Sequence, residues 1–201
     1  MSRRVPSQER SKEKYDQLLL SAKALIGEKG NDLVSMKEIS KHSGVTLPSI
    51  YQYFPNKASI LKAIMEGYFA EIRASLITLL DSCDSIQELS EQLYKGIDIF
   101  YQRFEDEPVL AVLWSGLQAN VQLRELDAKD SAINAELITD KICSIIGDEK
   151  RTDIYTSLLL LVSTAGMTVR ITVMMPDEQA EKILEEFKTL FCMRMQSLLE
   201  V

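Results

Sequence analysis

The sequence predicts an all-α protein: an N-terminal three-helix domain with a helix-turn-helix, joined by a long helix to a C-terminal helical domain. Three observations carry this. Apolar residues recur at helical spacing through most of the 201 residues, and the alternating runs that mark strands are absent. The eight glycines and five prolines are few, and several fall where helices must start or stop. Residues 35–57, SMKEISKHSGVTLPSIYQYFPNK, read as two short helices around a tight turn and the opening of a third.

Taken in order, residues 1–8 form an arm whose Arg3 and Arg4 are able to reach DNA, although such tails are commonly just solvated. Helix one covers about 8–29, with Leu18, Ala22, Leu25 and Ile26 on one face. Helix two opens at Ser35, whose hydroxyl accepts a backbone N–H, and Glu38 completes the capping box. Gly44 tolerates the left-handed conformation that ends it. Thr46 caps helix three, with Pro48 in its first turn, where a missing N–H costs nothing. Met36, Ile39 and Val45 face Ile50, Tyr51 and Phe54 across the turn. Pro55 closes helix three, and Asn56 caps the next.

Helix four, about 57–82, carries Ile60, Leu61, Ile64, Tyr68, Ile72, Leu76 and Leu79 and is longer than a DNA-binding module requires. The domains are therefore read as 1–56 and 57–201, with 57–82 connecting them. Further helices follow at about 85–104, 108–118, 121–146, 152–175 and 176–199. Ser85 and Glu88 repeat the capping box, and Asp177 and Glu178 meet the positive end of the last helix.

The net charge of −7 is divided unevenly. Residues 1–60 hold 10 Lys and Arg against 6 Asp and Glu, a balance of +4; residues 61–201 hold 13 against 24, a balance of −11. A local basic surplus beside the helix-turn-helix suits phosphate neutralisation. Cys83, Cys143 and Cys192 are too far apart for a metal site or a disulfide framework and read as reduced thiols. His42 is the single histidine, and no Gly-rich phosphate loop or nucleophile elbow is present, so an enzyme is not expected, nor a metal or other cofactor. The apolar stretch 158–175 contains Arg170 and four hydroxyl residues and reads as a buried helix, not a membrane span. The first apolar run follows charges of both signs, unlike a signal peptide, and a cytoplasmic location is expected.

The second helix of a helix-turn-helix can enter the DNA major groove. Its candidate readers here are Thr46, Leu47, Pro48, Ser49, Gln52 and Tyr53, joined by Ser35, Lys37 and Lys57. Gln52 matches an adenine edge, Leu47 and Pro48 suit a thymine methyl, and Lys57 suits a phosphate. A capped helical hairpin without DNA readout is the plain alternative.

Gly44-Val45-Thr46, Ile50-Tyr51-Gln52-Tyr53-Phe54, Asn56-Lys57 and Ile60-Leu61 together resemble the TetR family of bacterial transcriptional regulators. The resemblance covers about 14–65. Ile26 and Asn31 depart from it where aromatic residues are usual. It implies a homodimer that binds a palindromic DNA operator as a repressor and releases it when a small-molecule effector binds the C-terminal domain, with helix four as transmitter. Lys37 matches a family position near DNA and is otherwise a solvated lysine.

Two further sites are expected. Ile183, Leu184, Phe187, Leu190, Phe191, Met195 and Leu198 form a wide stripe read as the dimer face, or else as core within its own chain. Phe100, Tyr101, Phe104, Trp114, Leu117, Met167 and Arg170 are candidate walls of an effector pocket, and equally describe an ordinary core. A buried Arg170 needs a partner, either a carboxylate such as Glu105 or an anionic ligand. The competing function is a helical protein-interaction module without specific DNA readout.

Overall fold

A computed structural model describes residues 7–115 and 120–199. Among these the chain forms only helices: α1 (Ser7–Lys29), α2 (Met36–Ser43), α3 (Leu47–Tyr53), α4 (Lys57–Asp81), α5 (Ile86–Asp106), α6 (Val109–Ser115), α7 (Val121–Ile146), α8 (Arg151–Thr172) and α9 (Asp177–Leu199). Two compact units divide between Tyr68 and Phe69.

In the first unit, Leu18, Ala22 and Ile26 of α1 are fully buried, as are Ile39 of α2 and Ile50 of α3. The start of α2 has both halves of the capping box: the Ser35 hydroxyl accepts from the Glu38 N–H at 3.3 Å, and the Glu38 carboxylate accepts from the Ser35 N–H at 3.0 Å. Gly44 ends α2 with φ of 70°, a left-handed value that a β-carbon would disfavour. Thr46 holds the N-cap position of α3 with Pro48 in the first turn, but its side chain makes no cap bond; the hydroxyl donates to the Ser49 hydroxyl at 3.1 Å instead. Asn56 caps α4 as expected, its side-chain oxygen accepting from the Ser59 N–H at 2.9 Å.

The boundary expected after residue 56 lies further along. Ile60, Leu61, Ile64, Met65 and Tyr68 of α4 are all buried, and Lys23 of α1 lies 4.0 Å from the centre of the Tyr68 ring. Three helices of this length leave too much apolar surface uncovered, and the first turns of α4 complete their core.

The second unit packs α8 against α7 and α9, with α5 against α8 and α9 and α6 against α5 and α8. Its core includes Leu89, Ile142, Ile154 and Leu158, each fully buried and each contributing about 1.5–3 kcal/mol by leaving water. Asn120 caps α7, accepting from the Leu123 N–H at 3.2 Å. By length and composition α8 is apolar enough to cross a membrane, yet it is a packed helix with one buried face, holding Ile154, Leu158 and Val169, and one open face.

The stripe on α9 read as a dimer face needs correcting. Leu184, Phe187, Phe191, Met195 and Leu198 are buried inside their own unit, and only Ile183 and Leu190 reach its surface. A helix buried along one side spends its widest apolar stripe on its own core. Lys188 is buried with them; its ammonium binds Asp98 at 2.7 Å and Glu185 at 2.5 Å and sits 4.5 Å from the Tyr94 ring centre. Cys83 and Cys143 are buried and Cys192 is half-buried, and burial pushes the Cys143 and Cys192 thiols up, away from reactive thiolate character.

Candidate nucleic-acid interface and ligand cavity

Seven residues of α3 make two turns, and each 100° step decides which side chains face outward. Ile50 and Phe54 point into the first unit and are 0% and 3% exposed. Thr46, Pro48, Tyr51 and Gln52 are exposed, while Leu47 and Ser49 lie half-buried at the edges. Gln52 and Pro48 therefore face outward from the first unit.

The two tyrosines trade places relative to the sequence reading. Tyr51, assigned to the apolar side, is 53% exposed. Tyr53, assigned to DNA, is half-buried, its hydroxyl 2.9 Å from the Ser11 hydroxyl and its ring edge-on to Tyr15 at 6.3 Å. Tyr53 thus braces α3 against α1, and Tyr51 is the outward aromatic that sequence reasoning missed. Its helical angle, between Leu47 and Pro48 and 100° from the buried Ile50, was the available signal.

Two supporting residues are also committed locally. The Ser35 hydroxyl is used in the capping box, and its partner Glu38 is held below the usual carboxylate range chiefly by the Ser35 backbone N–H. Lys57 donates to the Asn31 carbonyl at 2.7 Å, so its ammonium ties α4 to the loop after α1 and keeps two further donors. Lys37 is exposed.

The second unit holds a half-open cavity of about 800 Å³. Ile72, Leu76, Phe100, Trp114, Leu161 and Val162 give it mostly apolar walls, and Phe69 and Phe187 close other sides. Of the expected pocket residues, Phe100 and Trp114 line it. Phe104 lies behind them, 2% exposed, with ring centres 5.3 Å from Phe100 and 5.5 Å from Trp114. Met167 is 52% exposed and does not line the cavity; Tyr101 and Arg170 are half-buried outside its lining. Leu117 lies outside the described residues. The partner of Arg170 is Asp127, at 3.7 Å, and not Glu105; burial pulls the guanidinium pKa down and Asp127 offsets this.

Polar residues that the sequence reading passed over organise the cavity wall. Arg73 of α4 pairs with Asp130 of α7, and Arg103 of α5 pairs with Glu71 of α4 and, at 3.5 Å, with Glu107. Asp130 also accepts from the Asn134 amide at 2.9 Å. Burial pushes the Asp130 carboxyl up, and Arg73 pulls it partly back. Trp114 donates its indole N–H to Asp127 at 3.2 Å. The spacing of Asp130 and Asn134, one turn apart on a helix whose buried face is otherwise apolar except for Thr139, was a readable signal.

Comparison with known proteins adds independent findings. Residues 87–199 match the family described as "Tetracyclin repressor-like, C-terminal domain", and residues 18–64 match "Bacterial regulatory proteins, tetR family". The chain is 28% identical to the Transposon Tn10 TetC protein of Escherichia coli over 145 residues, covering 70% of this chain and 73% of that one. A TetR-family regulator from Streptomyces coelicolor superposes with a TM-score of 0.69 at 18% identity, covering 92% of this chain and 99% of its own. One from Pectobacterium atrosepticum gives 0.70 at 15%, covering 96% and 97%.

Proposed function

Because this chain belongs to the TetR family of ligand-responsive, DNA-binding transcriptional regulators, we propose that α3 reads a palindromic operator and that the cavity of the second unit takes the effector which releases it. The observation that carries the DNA half is the outward row of Pro48, Tyr51 and Gln52 on a helix whose opposite side is anchored in the core. Gln52 is suited to an adenine edge, Pro48 to a thymine methyl, and Tyr51 to a phosphate or a base edge. Thr46 and Lys37 are the flanking polar contacts, Leu47 and Ser49 support the helix from its rim, Ser35 caps α2, and Lys57 ties α4 to the loop after α1 and keeps donors for a phosphate. The effector half is supported by an apolar cavity of drug-sized volume with a few fixed polar groups. Helix α4 starts in the first unit and contributes Phe69, Ile72, Leu76 and Leu79 to the cavity wall, which is the covalent basis for a transmitted signal.

Dimerisation uses the open face of α8 with the outer edge of α9. Leu160, Met167 and Ile171 fall on one stripe of α8 with Met174 just beyond it, and all are at least 45% exposed. Leu190 and Met193 on α9 are 54% and 62% exposed. Apolar surface of this extent on one face is what a second copy covers in a two-fold assembly. Ile183 and Leu190 thereby remain from the originally expected stripe.

The test is selection of random DNA fragments by the purified protein at physiological salt, followed by sequencing. One enriched palindrome supports a dimeric sequence reader; recovery of unrelated fragments favours an interaction module instead.

A further inference from the structure

We propose that the effector is a neutral, largely apolar molecule carrying a hydroxyl or N–H donor, which the side-chain oxygen of Asn134 accepts. This rests on the reading of the cavity as the effector site. Asn134 lines the cavity and is 7% exposed. Its amide nitrogen donates to Asp130, and its Oδ1 has no protein partner among the described residues. The orientation of the amide is set by chemistry. Asp130, paired with Arg73, is an acceptor, so the nitrogen of Asn134 must face it and the oxygen is left over. Most buried acceptors have a partner, and one left without costs stability. A donor supplied by a ligand removes that cost, so this position selects for one.

Charge narrows the class further. Asp106, Glu107, Asp127 and Asp130 line the cavity, and the arginines around it are engaged: Arg73 with Asp130, Arg103 with Glu71 and Glu107, and Arg170 with Asp127. An anionic ligand meets carboxylates and arginines already held by other carboxylates. A cation gains little either: three of the carboxylates are held by arginines, Asp106 accepts from the Gln102 amide at 3.0 Å, and the remaining amide oxygen repays little of the hydration lost. The remaining class is uncharged, with an apolar body to fill walls such as Ile72, Leu76 and Val162.

The experiment uses the full chain and three probes of one body size: decanol, decyl methyl ether and decanoate. Trp114 is the only tryptophan in the sequence and lines the cavity, so its fluorescence reports occupancy. The expected result is that decanol binds about tenfold more tightly than the ether and that Asn134→Leu removes this preference while the ether still binds. Equal binding of decanol and ether to the unmodified protein overturns the donor assignment and leaves the cavity as a ligand site. Tightest binding by decanoate overturns it in favour of an anion. No fluorescence change with any of the three overturns the cavity reading itself. The alcohol-to-ether ratio in the unmodified protein decides the matter even if Asn134→Leu fails to fold.

Discussion

Arg73 on α4 and Asp130 on α7 form an ion pair whose carboxylate also accepts from the amide of Asn134, one turn further along α7. The Asp130 side chain is 8% exposed and that of Arg73 29%, so the pair joins the helix that leaves the first unit to the wall of the cavity.

Breaking this pair from the arginine side strands a buried carboxylate. Arg73→Met is expected to destabilise the protein by about 1–3 kcal/mol at neutral pH, with the partial exposure of Arg73 keeping the loss below that of a fully buried pair. The Asp130 pKa is already raised, so the folded state favours its protonated form and the penalty of the charged form disappears as pH falls. Removing Arg73 raises it further. The loss should therefore shrink as pH approaches the ordinary aspartate value of 3.8, and Arg73→Met with Asp130→Asn should recover most of it. Urea denaturation at pH 7 and at pH 4 checks this; a pH-independent loss would show that the charge is not its origin.

The capping box of α2 predicts a loss that also fades in acid, from the opposite pKa shift. Glu38 has a lowered pKa, mainly through the Ser35 N–H, so its contribution is present above the ordinary value of 4.5 and is lost as pH drops through the folded value. Glu38→Ala should lower the melting temperature at pH 7 and leave it nearly unchanged at acid pH. Melting curves of both proteins across the carboxylate range test it, and a gap that persists in acid would refute it.

On α3 the outward and inward side chains should separate cleanly. Gln52→Ala is expected to cost about 1–3 kcal/mol of discrimination at one base pair of each half-site, with binding to unrelated DNA nearly unaffected. Tyr53→Phe loses the contact with Ser11 and should cost about 0.5–1.5 kcal/mol of stability while keeping the operator preference. Titrations on operator and random duplexes, with melting curves alongside, distinguish the roles; a changed sequence preference in Tyr53→Phe would return that residue to the DNA face.

For the dimer, Leu160→Glu with Met167→Glu places two charges on the open stripe of α8 and should yield a folded monomer with weakened operator binding. Sedimentation gives the mass and circular dichroism the helix content. A variant that stays dimeric would move the interface elsewhere.

Local chemistry was readable where the responsible atoms lie within four residues of one another. The boxes at Ser35–Glu38 and Ser85–Glu88, the left-handed Gly44 and the Asn56 cap all depend on such neighbours. Thr46 was readable only in position, because its hydroxyl turns to donate to the nearby Ser49 hydroxyl and accepts no backbone N–H. The tyrosines of α3 were exchanged because both are amphipathic and either side of a seven-residue helix can hold one. What assigned them was Tyr15 and Ser11, some forty residues away in the chain.

The amino-acid sequence by itself determined the helices, their ends, the turn that presents α3 and the family to which the chain belongs, since spacing and capping act along the chain. Only the tertiary structure decided which apolar face each helix spends on its own core. Helices α8 and α9 are apolar over more than one side, and burial is settled by what packs against them. The same holds for the cavity: Arg73, Asp130 and Asn134 come from α4 and α7, helices well separated in sequence, and their pairing exists only once packing brings a charge, its counter-charge and an amide to one wall.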